Sequence, residues 1–340
     1  GQTRQPALVA GALSWPTQFP PLLAHLLLGK GYAVHGTSRD AQLNPFDVLQ
    51  RVGVRAQVHL HSMAPTDFRS VAHCLDRVRP DEIYLLAGQS SVGLSFGQPV
   101  ETLESIAIGA LNVLEAMRFL ALPARLYHAG SSECFGDVAT TADESTAFRP
   151  RSPYAVAKAS AHWTVTNYRE AYGLHACTGI LFNHESPLRP ARFVTRKIVG
   201  AATRIAGGSD ERLCLGRLDI RRDWGFAPEY VEAMWRILQQ PAPDDFVIAT
   251  GVATTLEDFV ARCFARVDLD WRDHVDHDPQ LERPSDLARN CGDPAKAERV
   301  LGWRARTSLD TLIAHLVAAE QGRDWPMSAA ATTDPETASP

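Results

Sequence analysis

Short apolar segments alternate with segments of helical periodicity along the first half of the chain, and this alternation limits the possible folds most strongly. The apolar segments predict strands at Ala7–Ala10, Tyr32–Gly36, Val58–Leu60, Glu82–Leu86 and Arg125–Ala129. Between them, apolar residues recur at helical spacing in Leu22–Leu28, Asp67–Val78 and Thr102–Leu120. Strands that alternate with helices through short connections form a parallel sheet with helices on both faces. We therefore predict a doubly wound α/β domain.

The second half mixes helical and extended segments. Helices are predicted at Tyr154–Tyr172, Phe193–Ala206, Pro228–Leu238, Leu256–Val267 and Leu309–Ala319, with extended segments at His175–Phe182 and Leu213–Gly225. We predict a Rossmann-like dinucleotide-binding domain over 7–182. A smaller mixed α/β substrate lobe follows over 183–322, with some return to the first domain. Residues 327–340 are rich in Ala, Thr, Ser and Pro and predict a disordered tail.

Composition excludes several classes of protein. The net charge of −5 and the lack of a long basic run argue against a nucleic-acid partner. No apolar run approaches the ~18 residues that span a bilayer, and the N-terminal residues lack a signal pattern. The six cysteines form no C-x-x-C pair, which favours reduced thiols over a metal site. We expect a cytoplasmic protein without a structural metal or a membrane partner.

A tyrosine and a lysine stand four residues apart in Tyr154-Ala-Val-Ala-Lys158. Residues four apart share one face of a helix, and an ammonium beside a phenol lowers the pKa of the phenol. Such a tyrosine could act as a base or an acid near neutral pH. Alone, the pentapeptide is more often a solvated pair on a helix surface.

A hydroxyl and a carboxylate follow the fifth predicted strand, in Gly130-Ser131-Ser132-Glu133. The carboxyl ends of parallel strands form the ligand crevice of such sheets, and in extended backbone Ser131 and Glu133 point to the same side. Together they could protonate a leaving group and remove a proton. In isolation, the four residues are more typical of a turn.

The combination of these motifs is more specific than either one. Ser131 and Glu133 followed about twenty residues later by Tyr154 and Lys158, on a doubly wound pattern, resemble the active site of extended short-chain dehydrogenases. Further segments resemble one branch, the GDP-mannose 4,6-dehydratases: Arg151-Ser-Pro-Tyr-Ala-Val-Ala-Lys158, Asn167-Tyr-Arg-Glu-Ala-Tyr172, Gly179-Ile-Leu-Phe-Asn-His-Glu-Ser-Pro187, Phe193-Val-Thr-Arg-Lys-Ile198, Arg222-Asp-Trp-Gly225, Tyr230-Val-Glu-Ala-Met-Trp235 and Asp245-Phe-Val-Ile-Ala-Thr-Gly251. The resemblance covers residues 7–320.

The resemblance implies a lyase of nucleotide-sugar metabolism that dehydrates a GDP-sugar. An enzyme-held NADP takes a hydride from sugar C4 and returns it to C6. By resemblance, Tyr154 deprotonates the C4 hydroxyl and Lys158 holds the phenolate. Glu133 removes the C5 proton, and Ser131, where the family more often has threonine, assists loss of the C6 hydroxyl as water. The family also implies a homodimer or homotetramer.

The resemblance further implies two sets of binding residues. The residues placed toward NADP are Gly11, Arg39, Leu86, Ala87, Gln89, His184 and Arg189. The residues placed toward the GDP-sugar are Ser90, Asn183, Val194, Lys197, Arg222 and Arg283. Arginine supplies charge and paired donors for a diphosphate, and Arg39 could bind a 2′-phosphate. Without the resemblance, such arginines are as often solvated surface residues, and His184 is often a core histidine.

The first loop departs from the family pattern. The family has Gly-x-x-Gly-x-x-Gly between the first strand and the first helix, because these glycines let the backbone approach pyrophosphate. This chain has Ala10-Gly-Ala-Leu-Ser-Trp-Pro-Thr-Gln-Phe-Pro-Pro21, in which only Gly11 remains. Trp15 adds bulk, and the prolines, Pro16, Pro20 and Pro21, remove N–H donors.

Two further departures lie on the adenosine side. Ala64-Pro65 replaces the Asp-Leu pair that cradles adenine in the family, and Leu85 stands where asparagine is usual. Three hypotheses therefore remain open. The loop is reshaped and still holds NADP, the protein carries out non-redox chemistry on a GDP-sugar, or it binds a GDP-sugar without catalysis.

Overall fold

The computed structural model describes residues 5–10 and 18–329 of the chain. Its strands are β1 Pro6–Ala10, β2 Ala33–Ser38, β3 His59–Ser62, β4 Glu82–Leu85, β5 Arg125–Ser131, β6 Ala176–Leu181, β7 Asn183–Glu185, β8 Leu213–Leu215, β9 Arg221–Phe226, β10 Phe246–Ile248, β11 Ala253–Thr255, β12 Val275–His277 and β13 Arg289–Asn290. Its α-helices are α1 Phe19–Gly29, α2 Asp47–Arg51, α3 Phe68–Val78, α4 Val92–Gly97, α5 Pro99–Leu103, α6 Gly109–Phe119, α7 Pro153–Tyr172, α8 Val194–Ala206, α9 Ala227–Leu238, α10 Leu256–Ala265 and α11 Leu309–Glu320. A π-helical turn, Glu104–Ile108, joins α5 to α6.

The main sheet of the described chain has seven parallel strands in the order β10-β6-β5-β4-β1-β2-β3. This order confirms the predicted doubly wound fold. The strand order reverses between β1 and β4, and in open α/β sheets ligands bind at such a point, outside the carboxyl ends of the strands. The sequence pattern did not indicate β10 as a strand, because three residues carry no periodicity.

Helices cover both faces of this sheet. On one face, α1 and α9 pack through Leu23, Leu27 and Met234 against β2 and β4. On the other face, α3, α6 and α7 pack through a second cluster that includes Val113 and Ala157. The region around α8, α10 and α11 has a separate core, in which Phe226, Phe259 and Leu316 are fully buried.

The later part of the chain contributes to both units. Strands β7, β9, β11 and β13 form a small second sheet, whereas α9 and β10 pack with the main sheet. The division into 7–182 and 183–322 stays a prediction, and its stated return to the first unit corresponds to α9 and β10.

The described residues extend past the predicted start of the disordered tail. Trp325 and Met327 are partly buried against the first core cluster. The disordered tail over 327–340 stays a prediction. Residues 330–340 lie outside the described part. Within the described ranges, no helix has the length and apolar character needed to cross a membrane.

Candidate active site

A cavity of about 830 Å³ opens at the carboxyl ends of β4, β5 and β6. Its walls contain the four predicted catalytic residues and most of the predicted binding residues. The predicted residues that line it are Leu86, Gln89, Ser90, Ser131, Glu133, Tyr154, Lys158, Asn183, His184, Arg189, Val194, Lys197, Arg222 and Arg283. The structure thus brings together side chains that are up to 197 residues apart in the sequence, from Leu86 to Arg283.

Tyr154 and Lys158 project into the cavity from the first two turns of α7. The Ser152 Oγ accepts a hydrogen bond from the Ala155 N–H at 3.0 Å, and Pro153 occupies the first turn, which fixes where the helix begins. The lysine is 7% exposed, and its Nζ donates to the Ala129 carbonyl at 2.8 Å. The start of α7 therefore sets the position of both groups relative to β5.

The electrostatics of this pair differ from the sequence-based expectation. Burial raises the pKa of Tyr154, and a hydrogen bond with Ser131 opposes that effect only in part. The Lys158 ammonium lies 5.8 Å from the centroid of the Tyr154 ring, and burial lowers the pKa of the lysine to about 8. The expectation of a lowered phenol pKa is therefore wrong for this structure, because desolvation outweighs the opposing effects of the Ser131 hydrogen bond and the Arg189 charge.

Ser131 and Glu133 stand at the carboxyl end of β5. The Ser131 Oγ accepts a hydrogen bond from the Glu133 N–H at 3.3 Å, and this bond begins the 3₁₀ turn Ser132–Phe135. The predicted turn is therefore present, and Ser131 and Glu133 also line the cavity. Burial raises the pKa of the Glu133 carboxyl, and the charges of Arg222 and Arg283 oppose this rise. A carboxyl held in this way can accept and return a proton.

Arg222 and Arg283 lie on the side of the cavity formed by the second sheet and the loop before β13. Arg222 is 5% exposed, and it donates to the Leu287 carbonyl and to Asp286 Oδ1, each at 2.8 Å. Arg283 is more exposed and lies 3.5 Å from the same Asp286 oxygen. Arg222 is thus committed to internal bonds, whereas Arg283 has donors available to a ligand.

The remaining predicted substrate residues belong to β7, the first turn of α8 and the loop after β4. Asn183 begins β7, and Val194 and Lys197 belong to α8. Ser90 Oγ accepts a hydrogen bond from Arg192 Nη2 at 3.4 Å. Gly88 has a φ of +122°, and an added Cβ would lie 2.7 Å from Ile106 Cγ1, so this loop requires glycine to approach the π-helical turn.

His184 and Arg189 form the wall between β7 and α1. His184 Nδ1 bonds the Phe182 carbonyl at 2.7 Å, which fixes that nitrogen as the donor, and burial keeps the pKa of the ring well below its ordinary value. The ring stacks on Phe19, with centroids 4.1 Å apart. Arg189 Nη1 donates to the His184 carbonyl at 3.2 Å. His184 is therefore both a buried histidine and a cavity residue.

Two predicted cofactor residues, Ala87 and Arg39, do not line this cavity, and a third lies outside the described residues. Ala87 packs into the core cluster beneath α6 instead. Arg39 is exposed just after the end of β2, with no hydrogen bond or ion pair to the described residues. Gly11 belongs to the loop 11–17, which lies outside the described residues.

The two ends of the dinucleotide region fit a cofactor unequally. At one end, the Tyr154 phenol, the Lys158 amine and Leu86 line the cavity, and Arg189 Nε is buried without a hydrogen bond from the described residues. This donor set fits a nicotinamide riboside. At the other end, the first turn of α1 reads Phe19-Pro20-Pro21, so two of its first three residues have no N–H for a phosphate.

Sequence reasoning missed several cavity residues. Gln18 Nε2 donates to the His184 carbonyl at 2.9 Å, and Gln18 Oε1 accepts from Ser186 Oγ at 2.8 Å, across more than 160 residues that leave no local signal. Asp286 was detectable in principle, because an acidic residue three positions after Arg283 commonly pairs with it. No group of three or more His, Cys, Asp or Glu side chains in the described ranges is placed to hold a metal ion.

Comparisons with known proteins agree with the family that the sequence resembles. A family model described as GDP-mannose 4,6 dehydratase matches residues 21–316, starting after the altered first loop. The chain is 43% identical over 326 residues to GDP-mannose 4,6 dehydratase 2 of Arabidopsis thaliana, covering 93% of this chain and 87% of that protein. It is 42% identical over 339 residues to the GDP-mannose 4,6-dehydratase of Sinorhizobium fredii, covering 92% and 96%.

Solved structures share the fold at lower sequence identity. The UDP-glucose 4-epimerase of Thermus thermophilus, in complex with NAD, superimposes with a TM-score of 0.80 at 23% identity, covering 94% of this chain and 99% of that one. The dTDP-glucose 4,6-dehydratase of Bacillus anthracis, also with NAD, has a TM-score of 0.80 at 15% identity, covering 94% and 97%. On the family match and the sequence identities, the chain belongs to the GDP-mannose 4,6-dehydratase family.

Proposed function

We propose that this chain removes water from GDP-mannose to form the 4-keto-6-deoxy sugar nucleotide, with NADP as the enzyme-held hydride carrier. The observation that carries the proposal is the shared cavity of Ser131, Glu133, Tyr154 and Lys158. Family membership supports the same reaction. A protein that only binds a sugar nucleotide has no chemical need for all four groups in one cavity.

The first half-reaction rests on Tyr154 and Lys158. When bound, the nicotinamide accepts the hydride from sugar C4 and later supplies it at C6. Tyr154 receives the proton of the C4 hydroxyl as that carbon becomes a ketone. The Lys158 ammonium, 5.8 Å from the centroid of the Tyr154 ring, favours the phenolate that this role requires, although burial opposes it.

The second half-reaction rests on Glu133 and Ser131. The C4 ketone acidifies the C5 proton, which Glu133 removes while the C6 hydroxyl leaves as water with assistance from Ser131. Glu133 would then return a proton to C5 as C6 is reduced by the hydride that the bound nicotinamide would supply. Because C4 is oxidised and C6 is reduced, the net change is loss of one water. The raised pKa of Glu133 suits a group that takes a proton and gives it back.

The nucleotide end of the substrate has charged partners in the same cavity. Lys197 and Arg283 supply cations for the diphosphate. Arg222 supports the site indirectly, because its donors form hydrogen bonds with Asp286 and the Leu287 carbonyl. We therefore assign Arg222 to placing the loop that carries Arg283, and only secondarily to contact with substrate.

A homo-oligomer is part of the proposal. Large apolar side chains are exposed along α5, the π-helical turn, α6 and α7, and these include Val100, Leu103, Ile108, Leu111, Val156 and Trp163. A second copy of the chain would cover such a surface. Size-exclusion chromatography with light scattering tests this, and a monomer at micromolar concentration would contradict it.

The decisive experiment incubates the purified protein with GDP-mannose and analyses the products by mass spectrometry. We expect a sugar nucleotide lighter by one water, and NADP among the small molecules released on denaturation. Tyr154→Phe should abolish the product. Turnover without any nicotinamide in the protein would favour non-redox chemistry, and GDP-mannose binding without a product would favour a silent binder.

A further inference from the structure

Glu185 is a buried carboxylate for which the proposed chemistry has no use. It ends β7, directly after His184, and it is 2% exposed. A buried carboxylate is costly unless its position serves a purpose or its partners compensate for the lost hydration. Its partners therefore indicate its role.

A single oxygen of Glu185 joins two parts of the site. Thr195 Oγ1 donates to Glu185 Oε2 at 2.7 Å, and Arg189 Nε lies 3.5 Å from the same oxygen. Thr195 is the second residue of α8, between Val194 and the turn that carries Lys197. Arg189 lies on the side of the proposed dinucleotide.

A second contact joins the same two parts. The guanidinium of Arg189 stacks on the ring of Phe193 at 3.8 Å, and Phe193 immediately precedes α8. No side chain caps the N-terminus of α8 at Phe193. The first turn of α8 is therefore held from outside the helix, by Thr195 against Glu185 and by Phe193 against Arg189. A negative charge near a helix N-terminus is favourable in addition.

We propose that Glu185 is a positioning residue that couples the dinucleotide side of the cavity, at Arg189, to the sugar-nucleotide side, at the first turn of α8. A ligand that fixes Arg189 also fixes Glu185 and Phe193, so the first turn of α8 is ordered before the second ligand arrives. The second ligand then loses less conformational entropy, and by linkage each ligand raises the affinity for the other. This inference rests on the proposed function, because it takes NADP and a GDP-sugar as the two ligands.

The test measures binding, not turnover. Isothermal titration gives the affinity of nucleotide-free protein for GDP, alone and with saturating NADP, and the reverse pair of titrations checks reciprocity. We expect NADP to tighten GDP binding about tenfold in the parent protein. Thr195→Val, which removes the donor to Glu185, should reduce this factor to about twofold or less. Glu185→Gln, which keeps an acceptor and removes the charge, should reduce it by an intermediate amount.

Thr203→Val provides the matched control. Thr203 lies on the same helix, but its Oγ1 donates to the Val199 carbonyl within α8. The control should retain the full coupling factor. Thr195→Val with the control's melting temperature and an unchanged coupling factor would overturn the inference, whether or not Glu185→Gln folds.

Titrations of the parent protein distinguish a failure of the coupling from a failure of the proposed function. If the parent protein binds both NADP and GDP, with affinities independent of each other, the coupling is refuted and the proposed function stands. If it binds neither nucleotide, the proposed function fails and the coupling fails with it.

Discussion

The two ends of the ligand crevice are built by different means. At the end formed by β5 and α7, side chains make the site, and Tyr154, Lys158, Ser131 and Glu133 share one cavity. At the end formed by α1, β2 and β3, the family relies on bare backbone, and this chain has prolines and bulky residues there. A side-chain site depends on a few functional groups, whereas a backbone site depends on many residues without side chains. A backbone site can therefore be lost by one substitution at a time, while the side-chain site keeps all of its functional groups.

The structure shows what occupies the altered end. Phe19 stacks on His184. The Gln18 side chain donates to the His184 carbonyl and accepts a hydrogen bond from Ser186 Oγ. Near the adenine position, the Pro65 carbonyl accepts from Asn112 Nδ2 at 2.8 Å, and the Ala64 N–H donates to Ser70 Oγ at 2.9 Å. The Pro65 carbonyl and the Ala64 N–H thus form their hydrogen bonds within the protein. We therefore expect NADP binding to depend more on Arg39 in this chain than in relatives whose glycines surround the pyrophosphate.

The largest expected effect tests the catalytic end. Glu133→Gln should lower kcat by about 10²- to 10⁴-fold, because the amide cannot accept the C5 proton. Affinity for GDP should stay near the parent value, as measured by titration calorimetry. Glu144→Gln is the control, since Glu144 is another half-buried glutamate, outside the cavity, whose Oε1 accepts the Val247 N–H. Dehydration by Glu133→Gln at the parent rate would show that the base is another residue.

The dependence of kcat/KM on pH tests the assignment of Glu133 as the base in a second way. On the acid side, activity should fall as pH drops through the raised pKa of Glu133, because the protonated carboxyl cannot act as a base. On the basic side, it should fall as pH rises through about 8, where Lys158 loses its proton. Each limb should change about tenfold per pH unit. Lys158→Arg should remove the basic limb, because arginine stays charged, and a limb that persists there belongs to another group.

A smaller effect tests the adenosine end. Arg39→Ala should weaken NADP binding about tenfold and leave NAD binding unchanged, because only NADP has a 2′-phosphate for a charged hydrogen bond. Fluorescence or calorimetric titration of both nucleotides measures this. Arg69→Ala, at an exposed position outside the cavity, is the matched control. Equal weakening of NAD and NADP would remove Arg39 from the phosphate site.

The smallest effect tests the cause of the difference between the two ends. Pro20→Ala restores one N–H in the first turn of α1, and it should tighten NADP binding about two- to fivefold through the helix dipole. Pro20 lines the cavity, whereas its neighbour Pro21 does not, so Pro21→Ala is the control. Equal gains from both variants would point to the helix itself, and no gain from Pro20→Ala would mean that α1 does not face the pyrophosphate.

Much of the fold was predictable, because the sequence patterns that indicate strands and helices are local. The alternation of strands and helices predicted the doubly wound sheet, and the predicted helix Tyr154–Tyr172 differs from α7 by one residue at its start. Spacing of four placed Tyr154 and Lys158 on one helix face. By contrast, β10 is three residues long and gains its identity only by pairing with β6, so no periodicity indicated it.

The sequence by itself determined the fold class and the family, and it identified the candidates for the reacting side chains, because these follow from periodicity and from motifs that are contiguous in the chain. Only the tertiary structure decided the state of those side chains. Desolvation depends on everything that packs around a group, so the raised pKa of Tyr154 could not be read from a lysine four residues away. Likewise, Arg222 serves Asp286 and a backbone carbonyl, and Glu185 joins Arg189 to α8, because folding brings distant segments within hydrogen-bond range.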